Sequence, residues 1–122
     1  MRRRAGTQLV RNEQKVLAAA IRLRFEGVTR LYGYDLFATL KQWEGGPPMN
    51  HGTLYRCLRS LESRGMFTST VDQSVERLKV WYELTDEGIA AARKATLRLA
   101  AEDEPPRWVD VSVAIDALPP AP

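Results

Sequence analysis

The segment MNHGTLYRCLRSLESRG, residues 49–65, sets the architecture of the chain. Leu54, Leu58 and Leu61 recur at positions i, i+4 and i+7, which places all three on one face of a helix. Asn50 is suited to begin that helix, because its side-chain oxygen can accept a hydrogen bond from a free backbone amide. Gly65 stands where helices commonly end in a left-handed residue. The segment therefore predicts one amphipathic helix with a buried leucine face.

The other faces of this helix carry short polar donors and arginines, namely His51, Thr53, Arg56, Arg59 and Ser63. Side chains of these types contact base edges and phosphates in protein–DNA complexes. We therefore predict a DNA-recognition helix in which the arginines contact guanine or phosphate. The alternative for each arginine is an ordinary solvated side chain.

Apolar spacing predicts two helices before the recognition helix. The first covers about residues 12–26, with a stripe formed by Val16, Leu17, Ala20, Ile21 and Phe25. The three alanines at residues 18–20 form a thin face, which either packs against a partner subunit or is buried within the same domain. The second helix covers about residues 34–43, with an apolar face formed by Leu36, Phe37, Leu40 and Trp43. Glycine and proline at residues 45–48 cannot continue a helix and predict a turn.

A hairpin and a further helix are predicted after the recognition helix. Residues 66–71 and 79–84 are rich in β-forming side chains and flank polar turn residues. A hairpin directly after a recognition helix is the wing of a winged helix-turn-helix. Thr85 is a suitable cap for the last helix, which extends to about residue 101 with a stripe formed by Ile89, Ala92, Thr96 and Leu99. The predicted fold class is mainly α with a small β-hairpin (α+β), with helices flanking the motif on both sides.

Composition divides the chain of 122 residues into three parts. Residues 1–11 form a basic arm that we expect to be flexible, residues 12–101 form the winged helix-turn-helix domain, and residues 102–122 form an acidic tail that contains prolines. The tail has the alternation of a strand at Val109, Val111, Val113 and Ile115. A helix is the alternative, with an apolar face formed by Trp108, Val111, Ile115 and Leu118. We expect the tail to dock on a surface or to be disordered on its own.

The charge distribution favours a polyanionic partner. Residues 1–101 carry 17 Lys and Arg against 10 Asp and Glu, a net charge of +7, whereas residues 102–122 have a net charge of −4. A basic body suits binding to double-stranded DNA. A solvated basic surface would have the same charge.

Other classes of protein and of site have little support in the sequence. No nucleophile–His–acid group and no glycine-rich phosphate loop is visible, so we do not expect an enzyme. His51 is the only histidine, so one chain cannot form a histidine-based metal cluster, and no cofactor is predicted. The single cysteine, Cys57, excludes an internal disulfide and fits a cytoplasmic protein; beside the leucine face it is expected to be a buried residue rather than a redox sensor. No apolar run is long enough to cross a bilayer, so no membrane partner is expected.

Three segments, in order, resemble the PadR-like transcriptional regulators. They are YGYDL at residues 32–36, NHGTLYRCLRSLESRGM at residues 50–66 and VWYELTDEG at residues 80–88. The family has Gly-Tyr at the start of the first motif helix, Gly-Thr-Leu-Tyr at the start of the recognition helix and Tyr-x-Leu-Thr-x-x-Gly at the end of the wing. His51 departs from this pattern, because the family often has proline at that position.

The resemblance implies a homodimeric repressor that binds an inverted-repeat operator and is released by a small-molecule effector or another signal. It also implies that the first helix and the helix after the wing, a dimerisation helix, form the dimer contact. By motif position Tyr55 would contact phosphate, and the residues near the groove would be Asn50, His51, Thr53, Arg56 and Arg59. The wing tip at residues 72–76 is acidic, where the family usually has Gly, Arg or Pro, so wing contacts with DNA are expected only from Arg77 and Lys79.

Two alternative functions use the same fold. One is a winged-helix protein-interaction module, and the other is a DNA-architectural or recombination accessory protein. Affinity for duplex DNA that falls steeply with salt favours the DNA-binding classes, whereas salt-insensitive binding to a protein favours the interaction module.

Overall fold

The computed structural model describes residues 9–42, 49–73 and 79–116. Within these ranges the helices are α1 (Arg11–Phe25), α2 (Gly33–Lys41), α3 (His51–Ser63), α4 (Asp86–Ala100) and α5 (Val111–Asp116). The strands are β1 (Leu31–Tyr32), β2 (Phe67–Asp72) and β3 (Lys79–Leu84). The predicted fold class is confirmed, and the predicted recognition helix is α3.

The hydrophobic core is organised around α1, because α2, α3, α4 and α5 all pack against it. Its apolar stripe is completely buried from Val16 to Ile21, as the spacing predicts. The alanines at residues 18–20 are buried within the chain itself, which is the second of the two interpretations of the thin face. The prediction that Phe25 belongs to the buried stripe is wrong, since its side chain is 50% exposed. Phe25 is the last residue of α1, and the chain turns away from the core at Gly27.

The sheet has three antiparallel strands in the order β1-β3-β2. The predicted hairpin is present, with Phe67 opposite Leu84 at one end and Asp72 opposite Lys79 at the other. The strand β1 lies along the free side of β3 and is not among the predicted elements. A strand of two residues is too short to produce an alternating pattern, so periodicity cannot reveal it.

The helix α4 begins at Thr85, as predicted. The Oγ1 atom of Thr85 accepts a hydrogen bond of 3.0 Å from the amide of Gly88. The predicted apolar stripe of α4 is buried and packs against α1. This pairing joins the two helices that flank the winged motif.

The tail forms a helix, α5, rather than a strand. A hydrogen bond of 2.9 Å from the amide of Ser112 to the carboxylate of Asp110 favours this conformation at the start of α5. The buried face agrees only in part with the one that the helical alternative proposes: Trp108 is buried, but Val111 is 42% exposed and Val113 is buried in its place. Leu118, the last member of the proposed face, lies outside the described residues.

Side chains from two helices hold the tail in place. Trp108 is 3% exposed, and its carbonyl accepts a hydrogen bond from Arg22 of α1. The Nε atom of Arg93 on α4 donates a hydrogen bond of 2.7 Å to the carbonyl of Ala114. Residues 105–116 therefore dock on α1 and α4 through apolar burial and main-chain contacts.

None of the described helices has both the length and the apolar character needed to cross a membrane. The same residues contain no group of three or more His, Cys, Asp or Glu side chains placed to hold a metal ion.

Candidate nucleic-acid interface

The recognition helix α3 is fixed at both ends and along one face. The Oδ1 atom of Asn50 accepts a hydrogen bond of 2.8 Å from the amide of Thr53, so Asn50 caps the helix as predicted. The three leucines of its apolar face are fully buried. Beyond its end, Gly65 has a φ of +79°, in the left-handed region that glycine adopts without strain. The helix is therefore a rigid support for the side chains on its outer face.

That outer face presents Tyr55, Arg56 and Arg59 to solvent. Arg56 Nη2 donates a hydrogen bond of 3.2 Å to the hydroxyl of Thr53. Neither Arg56 nor Arg59 forms an ion pair with a carboxylate of the described residues. The positive charges of both guanidinium groups thus remain available to an external anion.

His51 connects the recognition helix to α2. Its imidazole stacks on the ring of Phe37, with centroids 3.9 Å apart and planes at 14°. The sequence assigns Phe37 only to the apolar face of α2. The stacking contact depends on how the two helices cross, and the periodicity of either helix contains no information about that.

A contact between Gly33 and Tyr55 joins the first two sequence motifs. The Tyr55 ring lies so close to the start of α2 that a Cβ atom added to Gly33 would be 2.3 Å from the Tyr55 hydroxyl. Glycine at this position therefore makes room for the tyrosine. Local sequence patterns do not reveal this role, and the only signal for it is the presence of both motifs in one chain.

A buried carboxylate joins α1 to the recognition helix. Glu13 is 3% exposed and accepts hydrogen bonds from the Val10 amide, at 2.9 Å, and the Ser60 hydroxyl, at 2.7 Å. The Nη1 atom of Arg64 lies 3.6 Å from the same carboxylate. Sequence reasoning missed Glu13 because a single acid in an amphipathic helix usually lies on the solvated face.

Cys57 is a core residue, as predicted, with an exposed fraction of 7%. Burial raises the pKa of its thiol above the ordinary value, and the negative charge of Glu13 acts in the same direction. A thiol with a raised pKa holds its proton at neutral pH and is a poor nucleophile. The environment of Cys57 is therefore that of a structural residue.

Lys79 lies on the exposed side of the wing stem, at the start of β3. Its ammonium group is 5.7 Å from the centroid of the Tyr32 ring. A cleft of about 610 Å³ is lined by Lys79 of the wing stem and by Tyr55 of the recognition helix. Arg77, the other predicted wing contact, lies outside the described residues.

The two tryptophans that the structure describes, Trp81 and Trp108, both pack against neighbouring residues. Trp108 belongs to the tail and is buried against the hydrophobic core, whereas Trp43 lies outside the described residues. Trp81 is partly buried on the outer face of the sheet, where it meets the edge of Tyr32 and the guanidinium of Arg30, which is 5.0 Å from its ring.

A sequence profile described as "Transcriptional regulator PadR-like family" matches residues 26–94. The members of this family are transcriptional regulators and not enzymes. A search of curated proteins finds no match.

The solved structures that are similar to the chain include two transcriptional regulators. One is a PadR family transcriptional regulator from Eggerthella lenta, with 28% identity and a TM-score of 0.50 over 70% of this chain and 75% of the other. The second is a candidate transcriptional regulator from Thermoplasma acidophilum, with 20% identity and a TM-score of 0.54 over 76% of this chain and 89% of the other. The second likeness, at this level of identity, supports the fold alone.

Proposed function

The chain belongs to the PadR-like family of transcriptional regulators, and on that premise we propose that it is a homodimeric repressor that binds an inverted-repeat operator. The observation that carries this proposal is the outer face of α3. Its two arginines are exposed and lack a carboxylate partner among the described residues, while the opposite face is fully buried. The repressor role, the inverted-repeat operator and release by a small-molecule effector are the parts of the proposal that rest on the family resemblance alone, and action in the cytoplasm is proposed with them.

In this proposal α3 enters the major groove with its N-terminal end first. Asn50, His51 and Thr53 lie nearest the floor of the groove, and Arg56 and Arg59 contact guanine or phosphate. A bidentate contact with a base contributes about 1–3 kcal/mol of discrimination against the wrong base. Contacts with phosphate instead add affinity for every sequence.

The dimer contact is proposed to lie on the outer face of α4. The middle of α1 is already buried in its own chain, so α1 can contribute only near its ends. On α4, Leu97 is 44% exposed and Lys94 and Arg98 are exposed beside it. A groove of about 540 Å³ lies next to Leu97 on α4 and is lined by Leu9, Lys94 and Arg98. A second copy of the chain would cover the apolar surface of this groove.

Selection of bound sequences from a random duplex pool tests the function. The expected result is a two-fold symmetric site, because a symmetric dimer reads two equivalent half-sites. Enrichment of no sequence, together with salt-insensitive binding to a protein, would reject the proposal in favour of an interaction module. Enrichment of bent DNA without a sequence motif would favour an architectural protein.

Alanine variants of Arg56 and Arg59 test the interface itself. A base contact predicts relaxed specificity at one operator position, and a phosphate contact predicts uniformly weaker binding. Arg24→Ala, at an exposed arginine of α1, is the matched control and should bind like the wild type. Unchanged binding by both α3 variants would exclude this face from the interface.

Sedimentation of Leu97→Lys tests the dimer. A charge in an apolar contact is expected to shift the protein toward monomer. Val71→Lys is the control, because Val71 on β2 is similarly exposed, at 47%, but lies away from α4. A dimer that tolerates Leu97→Lys would place the contact elsewhere.

A further inference from the structure

The cleft between α2, the recognition helix and the wing stem has walls rich in hydrogen-bond donors. Tyr34 comes from the first turn of α2, Tyr55 from α3 and Lys79 from β3. All three side chains are exposed, and Tyr34, at 68%, is the most exposed of the large hydrophobic residues of the described chain. Three elements therefore bring hydroxyl and ammonium groups to one place.

The acidic side chain that lines the cleft already accepts a hydrogen bond within the chain. Asp35 accepts a hydrogen bond of 2.9 Å from the amide of Tyr32, at the start of α2. Lys79 forms no ion pair with the carboxylates that the structure describes, and the Tyr32 ring lies beneath its ammonium group. A cation over an aromatic face is attracted to the ring and is restricted in its orientations. The charge of Lys79 is thus held at the cleft without being neutralised.

The Tyr55 hydroxyl is held at the same place by its contact with α2. The absence of a side chain on Gly33 lets this hydroxyl approach the residue directly before Tyr34. Tyrosine hydroxyls and lysine ammonium groups are common donors to DNA phosphates. The cleft combines two such hydroxyls with one cation, beside the helix that is proposed to enter the groove.

We propose that this cleft binds one phosphodiester of the DNA backbone, with Tyr34, Tyr55 and Lys79 as its donors. The inference rests on the proposed DNA binding and adds Tyr34 and a defined phosphate position to it. Because the wing tip is acidic, the positive charge with which the wing contacts DNA comes from Lys79 at its stem rather than from its tip. The contact positions the recognition helix on the duplex and does not read sequence.

The test uses the selected operator duplex and a scrambled duplex of the same length, each titrated over a range of salt concentrations. Lys79→Gln should weaken binding to both duplexes by the same factor. It should also reduce the slope of log K against log salt by about 1.8, because each of the two subunits loses one phosphate contact and each contact contributes about 0.9. Tyr34→Phe, which removes one hydroxyl, should also weaken both equally but leave the slope unchanged. Arg24→Gln is the control for the loss of an exposed charge, and thermal unfolding checks that each variant is folded.

Operators with a single neutral methylphosphonate locate the contact. The wild type should lose affinity at one backbone position in each half-site of the operator, and Lys79→Gln should lose no further affinity at these positions. The proposal would be overturned if Tyr34→Phe and Lys79→Gln both bound DNA with wild-type affinity. It would also be overturned if the two variants bound the operator duplex more weakly but the scrambled duplex as well as the wild type does. Saturable binding of inorganic phosphate or a mononucleotide at the cleft without DNA would also overturn it in favour of a free phosphate ligand. If the wild type binds no duplex, the proposed function fails first, which is a separate result.

Discussion

The carboxylate of Glu13 on α1 accepts a hydrogen bond of 2.7 Å from the hydroxyl of Ser60 on the recognition helix. It is one of the few buried polar contacts between the hydrophobic core and α3. A buried carboxylate is destabilising unless hydrogen bonds and opposite charge compensate its loss of hydration. Here the Val10 amide, the Ser60 hydroxyl and the Arg64 guanidinium supply that compensation.

Replacing Glu13 should therefore be strongly destabilising. Glu13→Ala removes the carboxylate that the Ser60 hydroxyl and the Arg64 guanidinium contact, and removing one member of a buried pair costs about 3–5 kcal/mol. Glu13→Gln, which retains hydrogen-bonding capacity, should cost less. Chemical denaturation measures both changes. The control is Glu26→Ala, because the pair of Glu26 with Arg22 is exposed and should contribute at most about 1 kcal/mol; equal effects at Glu13 and Glu26 would contradict the role of Glu13.

Gly33→Ala should displace Tyr55. The added methyl group would occupy the space of the tyrosine ring, so the ring must move away, at a cost of about 1–3 kcal/mol in stability. If Tyr55 contacts phosphate, its displacement should also lower the affinity for DNA. The effect of Gly33→Ala on affinity should then disappear in a Tyr55→Ala background, which a double-mutant cycle measures. Gly52→Ala is the control for stability alone, since a Cβ atom there meets only the Asn50 side chain, at an ordinary contact distance of 3.4 Å.

The tail should respond differently to two substitutions of Trp108. Trp108→Ala removes a buried ring and should cost about 3–5 kcal/mol. The indole Nε1 of Trp108 is buried and has no hydrogen-bond partner among the described residues. An unpaired buried donor costs about 1–3 kcal/mol. Its removal in Trp108→Phe should therefore offset most of the stability that is lost with the smaller ring. Thermal unfolding distinguishes the two; a Trp108→Ala variant as stable as the wild type would mean that the tail is not docked in solution.

Cys57 should react slowly with iodoacetamide in the native protein at pH 8 and rapidly in denaturant. Burial raises the pKa of the thiol, so at pH 8 the folded protein has a smaller fraction of reactive thiolate than the unfolded chain, and the buried sulfur is also shielded from the reagent. The free energy of unfolding should consequently fall as the pH rises above the ordinary thiol pKa of 9.0. Cys57→Ala should remove this part of the pH dependence. Fast alkylation without denaturant would show that the thiol is accessible.

Patterns within a few residues were sufficient to predict the helices, the hairpin and the caps at Asn50 and Thr85. These features depend on interactions between close neighbours in sequence: the leucine spacing of α3, a side chain that bonds an amide three positions later, and alternation along β3. The same patterns also predicted that the arginines of α3 are exposed to solvent, because a residue opposite a buried stripe must face outward. The family motifs were recognisable for the same reason.

The contacts that complete the candidate site required the packed structure. Glu13 and Ser60 are 47 positions apart, and their hydrogen bond exists because α1 crosses α3 at one point. Three other features likewise depend on distances between elements: the contact of Tyr55 with Gly33, the stacking of His51 on Phe37 and the buried face of the tail. Local periodicity states which side of a helix is apolar, but not which residue of another helix will meet it. That information arises only when the elements assemble around α1.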